Sequence, residues 1–103
     1  MKTPKKVPKR LWRYFWDVDV KRLNPAKKPY FVINRLLDKG NIEAVQWVRR
    51  NFSEKTIQET FMKIRDFRTK IGYFWALFLN IPQKDVLCLQ EPYLKMRRMH
   101  WPY

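Results

Sequence analysis

Glycine occurs only twice in the 103 residues, as Gly40 and Gly72, too seldom for the tight primed turns that join the strands of a sandwich or barrel. Helices are the expected alternative. The single cysteine, Cys88, excludes an internal disulfide. Its neighbours Val86, Leu87 and Leu89 make it read as a small core hydrophobe of a reducing, cytoplasmic protein. Histidine is equally scarce: His100 and Cys88 have no ligand spacing for a structural zinc, and no serine or cysteine has neighbours that mark a nucleophile. A phosphate-cradling glycine loop is absent as well. The longest strongly apolar stretch, 71–81, contains Gly72 and Asn80 and falls well short of the roughly 20 residues of a spanning helix. At the start of the chain Arg10, Arg13, Asp17 and Asp19 interrupt any apolar signal core. The sequence therefore predicts no enzyme, no metal site, no cofactor and no membrane span.

Acid is also scarce. Nine Asp and Glu stand against 23 Lys and Arg, a formal net charge of +14, enough to draw polyanions or an acidic surface by a long-range field. The excess is uneven: residues 1–35 carry 11 basic and 2 acidic side chains, whereas 36–90 carry 9 and 6. Two partner classes follow: an acidic protein, and nucleic acid, either DNA or RNA.

Aromatic residues are plentiful, with seven Phe, five Trp and five Tyr, a content that implies a folded chain. In residues 1–10, Pro4 and Pro8 alternate with Lys and Arg and read as an extended basic arm. Trp12, Tyr14 and Trp16 follow, and Asp17 or Asp19 is placed to cap a short turn. From Pro29 the apolar residues Tyr30, Ile33, Leu36 and Leu37 recur at helical spacing, and Gly40 offers a left-handed stop. Asn41 suits the N-cap of a second helix with Ile42, Val45, Val48 and Phe52 as its stripe. Ser53 suits the cap of a third, carrying Ile57, Phe61 and Ile64 and ending near Phe67. Thr69 suits the N-cap of a fourth, apolar nearly all round and thus expected at the centre of the core. A short piece over 82–89 follows before Pro92.

The predicted fold is all-α: a compact bundle of four or five short helices over 11–92, flanked by the basic arm 1–10 and an irregular aromatic and basic tail, 93–103. Trp75, Phe74, Leu77 and Phe78 are expected at its centre, with Ile33, Leu37, Val45, Val48, Ile57, Phe61 and Ile64 around them.

Three groups of side chains are candidates for binding. Lys5, Lys6, Lys9, Arg10 and Arg13 are spaced to follow a phosphate backbone while Trp12, Tyr14 and Trp16 stack on bases. Arg65, Arg68 and Lys70 lie between the third and fourth helices as anion contacts. Arg97, Arg98, Trp101 and Tyr103 combine guanidinium groups with aromatic anchors, the residue types of protein interfaces.

The clusters Phe15-Trp16-Asp17-Val18-Asp19, Tyr30-Phe31-Val32-Ile33, Arg35-Leu36-Leu37 with Gly40, Thr69-Lys70, Phe74-Trp75-Ala76-Leu77, Cys88-Leu89 and Trp101-Pro102-Tyr103 resemble those of a family of small bacterial proteins of unknown function. Such proteins are often encoded beside nucleotidyltransferase-like toxins of the abortive-infection type. The resemblance implies an antitoxin role, a non-enzymatic protein neutralising its toxin by direct contact. Residues 1–10 exceed the family pattern and borrow no role from it.

The C-terminal candidates yield a prediction. Deleting residues 97–103 should leave helicity and melting temperature almost unchanged while weakening partner binding, because interface anchors often dominate affinity. Unfolding of the truncated chain would instead assign Trp101 and Tyr103 to the core.

Overall fold

The computed structural model describes residues 4–89, and they are helical as expected, with no strand among them. A 3-10 helix, Lys9–Phe15, precedes four α-helices: α1 (Pro29–Lys39), α2 (Ile42–Asn51), α3 (Glu54–Lys63) and α4 (Thr69–Phe78). Two 3-10 turns, Gln83–Asp85 and Leu87–Leu89, close the described chain.

Local chemistry sets most of these boundaries. Pro29 occupies the first turn of α1, where its missing N–H is not needed. The Asn41 side chain accepts the Ala44 N–H at 3.0 Å to cap α2, and Ser53 Oγ accepts the Thr56 N–H at 3.2 Å to cap α3. Gly40 ends α1 differently from the expectation: its backbone is extended (φ −81°, ψ 166°), not left-handed. Glycine is needed there for space, because a Cβ would collide with the Leu36 carbonyl oxygen and the Ala44 methyl. The left-handed residue is Asn80, at φ 56°. Beside it the Ile81 N–H reaches back to the Ala76 carbonyl at 2.9 Å, the bonding of a Schellman stop. Helix α3 ends at Lys63 rather than near Phe67, and the N-cap of α4 is Arg68 rather than Thr69, with no side-chain cap hydrogen bond of its own. Phe67 lies in the following loop, fully buried, its ring stacked on Phe61 with centroids 4.2 Å apart.

The centre of the core is α1. Val32, Ile33, Leu36 and Leu37 are all buried, and the helix packs on α2, on α3 and on the Lys9–Phe15 turn. Polar links reinforce these contacts: the Tyr30 hydroxyl donates to Glu59 at 2.6 Å and accepts from Lys63 at 3.2 Å, while the Asn34 amide donates to the Asp66 carbonyl at 2.7 Å. The Tyr30 hydroxyl beside Lys63 holds its ammonium above the usual lysine range. In α2 the inward stripe is Ala44, Trp47 and Val48, with Val45 half-buried and Ile42 exposed. Of the expected core, Ile33, Leu37, Val48, Ile57, Phe61 and Trp75 are buried, whereas Ile64 is only half-buried.

Helix α4 is not central. It buries Gly72, Trp75 and Ala76 against the Leu87–Leu89 turn and the Phe61 ring, and a Cβ at Gly72 would meet Cys88 Sγ. Phe74, Leu77 and Phe78, expected at the centre, are exposed. The reason is geometric. An apolar surface on every side permits full burial but does not supply neighbours, and α4 lies at the edge of the bundle.

This division predicts unequal costs along one helix. Trp75→Ala should destabilise the protein by about 3–5 kcal/mol, whereas Leu77→Ala should shift stability by no more than about 0.5 kcal/mol. Equal losses in chemical denaturation would contradict one-sided burial.

Candidate functional site

Residues 73, 74, 77 and 78 recur at one- and four-residue spacings and share one side of α4, opposite Gly72, Trp75, Ala76 and Leu79. Tyr73, Phe74, Leu77 and Phe78 are 42%, 57%, 80% and 49% exposed, a concentration of apolar side chains on one short helix. The side chains are mutually ordered. Phe74 and Phe78 stack with ring centroids 5.9 Å apart, both meet the buried Trp75 edge-on at 5.3 and 5.4 Å, and the Arg49 guanidinium sits 4.8 Å from the Phe78 centroid. Hollows lie at two borders of the face. One, about 160 Å³, opens beside Phe78 between Arg49, Phe52 and Glu54; the other, about 330 Å³, lies beyond Leu77 against Asn80, Pro82 and Gln83.

Two partly buried ion pairs fasten the bundle. The first joins α1 to α4. Asp38, 3% exposed, accepts the Arg68 backbone N–H at 2.7 Å and pairs with Lys39 at 3.0 Å, while the Arg68 guanidinium donates to the Asp38 carbonyl. A carboxylate from α1 thereby supplies the negative charge that the first turn of α4 lacks. The second pair fixes the N-terminal aromatic segment. The Arg35 guanidinium, its side chain 11% exposed, donates to both oxygens of Asp17 at 2.7 and 3.0 Å and to the Tyr14 carbonyl at 2.9 Å. It also lies 4.8 Å from the Trp16 ring and 5.1 Å from that of Phe31. Asp17 therefore holds a guanidinium rather than capping a turn, and Asp19 pairs with Arg22 at 3.5 Å.

The residues singled out for nucleic acid are only partly brought together. Val7, within the segment read as an arm, is buried, and the Trp12 indole donates to its carbonyl at 2.8 Å. Lys5 and Lys6 are exposed, and Lys9 lies 5.8 Å from the Trp12 ring. Arg10 pairs with Glu43 on α2, and Arg13 donates to the Tyr14 hydroxyl at 2.9 Å. Trp12 and Tyr14 are half-buried, leaving Trp16 as the exposed ring of the trio. In the second group Arg68 is engaged by Asp38, while Arg65 and Lys70 are exposed. Arg97, Arg98, Trp101 and Tyr103 lie outside the described residues. Among the described residues no three His, Cys, Asp or Glu side chains group to hold a metal ion, and no helix is long and apolar enough to cross a membrane.

Residues 12–61 match a family described as a family of unknown function, DUF6922. The matched stretch includes the Arg35–Asp17 clasp and the helices from α1 into α3, and stops before α4. The later clusters of the resemblance, from Thr69-Lys70 to Trp101-Pro102-Tyr103, fall beyond it. Neither a curated protein nor a solved structure matches the chain.

The Arg35 guanidinium beside Asp17 holds its carboxyl below the usual carboxylate range. A folded-state value below the unfolded one stabilises the fold at pH above about 4, and that contribution disappears as the pH falls through the folded value. The melting-temperature advantage of the wild type over Asp17→Asn should therefore be present at neutral pH and vanish in strong acid. An advantage independent of pH would contradict the ion pair.

Proposed function

We propose that the protein is a non-enzymatic binding protein that holds an acidic protein partner on the outer face of α4. The exposure of Tyr73, Phe74, Leu77 and Phe78 on one side of a single helix carries the reading. Exposed aromatic clusters beside hollows are the anchors from which interfaces draw most of their binding energy. The chemistry of the partner follows from charge. Helix α4 carries Lys70 and no acid, Arg49 lies over Phe78, and Arg50 adjoins it on α2. An acidic surface would be steered by the +14 field and would pair with these cations as the rings dock.

The finer proposal is antitoxin-like: the partner is a nucleotidyltransferase-like toxin, and the complex neutralises it. The resemblance to proteins encoded beside such toxins supports this. So does physical complementarity, since nucleotidyltransferase sites carry acidic metal-binding residues that a basic protein is suited to cover.

The test uses the full chain and a nucleotidyltransferase-like toxin of the abortive-infection type from the same genome. Phe74→Ser with Phe78→Ser should weaken the complex by about 2 kcal/mol or more, roughly 30-fold, in calorimetric titration. Both rings are about half exposed and touch Trp75, so the melting temperature should fall while the fold persists, and an unchanged helical circular dichroism spectrum separates lost affinity from unfolding. Unchanged affinity would remove α4 from the interface, and absence of any complex with the wild-type chain would overturn the antitoxin reading.

A further inference from the structure

A cavity of about 440 Å³ lies on another part of the molecule, where the chain between the first 3-10 helix and α1 folds back over α1. Its volume falls within the range of small-molecule sites, about 300–1,000 Å³. The wall is largely apolar, from Val18, Leu23 and Phe31, and the polar lining is dominated by Arg22, Lys27 and Lys28. Leu23 is 9% exposed, so the floor is continuous with the core. Phe31 is half-buried, its ring 6.0 Å from that of Phe15.

The backbone that carries the two lysines is held in a turn, and their side chains are exposed. The Asn24 side chain accepts the Ala26 N–H at 2.9 Å, and the Asn24 carbonyl accepts the N–H groups of Lys27 and Lys28, both at 3.0 Å. Pro25 and Pro29 flank the turn and restrict its backbone. Asp19, the single acid in the lining, is already paired with Arg22. Among the described residues the side chains of Lys27 and Lys28 make no ion pair or hydrogen bond. They also stand at the positive end of α1, whose first turn contains no acid, so their charges oppose the helix dipole with no internal compensation. A bound anion would remove this repulsion.

We infer that this cavity binds a nucleotide unit, with the phosphate between Lys27 and Lys28 and the base against Phe31 and the apolar floor. Two adjacent cations beside an apolar wall suit a ligand that combines an anion of more than one charge with a flat apolar body, and a nucleotide has both. Bases stack on aromatic rings with little regard to sequence, and Asn24, the one amide in the lining, has its oxygen committed to the Ala26 N–H. The same chemistry is offered by a free mononucleotide and by one unit of a single strand. The inference does not depend on the partner assigned to α4.

The full chain, labelled with ¹⁵N, is titrated separately with inorganic phosphate, AMP and a single-stranded adenine 10-mer. AMP should shift amide resonances of residues 18–31 and bind at least tenfold more tightly than phosphate. Lys27→Ala with Lys28→Ala should lose at least tenfold in affinity for AMP, whereas Lys27→Arg with Lys28→Arg should retain it. Phe31→Leu should weaken AMP while leaving phosphate unchanged. If the strand is the source, the 10-mer binds more tightly than AMP, and the double-alanine variant lowers its salt slope by about 0.7, the contribution of one phosphate on a single strand. If a free nucleotide is the source, AMP matches or exceeds the 10-mer. Equal affinity for phosphate and AMP, shifts centred outside 18–31, or wild-type binding by the double-alanine variant would each overturn the assignment.

Discussion

Burial of α1 on several sides is the constraint on which the rest of the described fold depends. Val32, Ile33, Leu36 and Leu37 leave no solvent-facing apolar stripe on this helix, so the Lys9–Phe15 turn, α2 and α3 are arranged around it. With the centre filled by α1, α4 is left at the edge. Its inner face finds Phe61 and the Leu87–Leu89 turn, and its outer face finds none of the core. The exposed aromatic face thus follows from a topology in which the most apolar helix is not the central one.

Charge is organised by the same arrangement. The acids are few, and several are used inside the molecule: Asp17 with Arg35, Asp38 with Arg68 and Lys39, Glu43 with Arg10, and Glu59 with Tyr30. These bonds fasten the N-terminal segment to α1 and α2, and fasten α1 to α3 and α4. Engaging carboxylates internally leaves cations outward, at Lys27 and Lys28 beside the cavity and at Arg49 beside α4. A small domain of this kind has opposite demands on its acids, since each one used as a fastener is unavailable to neutralise the surface. The two proposed binding surfaces are alike in placing such cations next to exposed or half-buried aromatic rings.

The starts of α1, α2 and α3 are legible in the sequence because they depend on chemistry close along the chain. Pro29, Asn41 and Ser53 mark starts by supplying a fixed φ or a cap oxygen, and the apolar spacing of Ile33, Leu36 and Leu37 identifies a buried face. Burial of α4 was not legible, because a helix apolar on all sides has no moment to tell inside from outside. The end of α3 is less legible, since Phe67 stacks on Phe61 from a loop four residues beyond the last helical residue, Lys63. Asp38 carries a signal of its own: an acid in the last turn of a helix opposes the dipole, and so needs a cation or N–H group from elsewhere, here from Arg68. The Arg35–Asp17 clasp spans 18 positions, and neither residue type nor spacing designates one acid over another at that range. The cavity was hidden for a similar reason, since Arg22, Lys27 and Lys28 gather only when the turn at Asn24 folds against Phe31.

The central claim is that α4 divides into a buried face and a binding face, and photochemical carbene footprinting of the full chain reads both at residue level. In the free protein, labelling should concentrate on Phe74, Leu77 and Phe78 and spare Trp75, Phe61 and Phe67. Addition of the toxin should suppress labelling at the first three while leaving Lys27 and Lys28 as reactive as before. Labelling of Trp75 equal to that of Leu77 in the free chain, or an outer face that stays fully labelled in a saturated complex, would contradict the account.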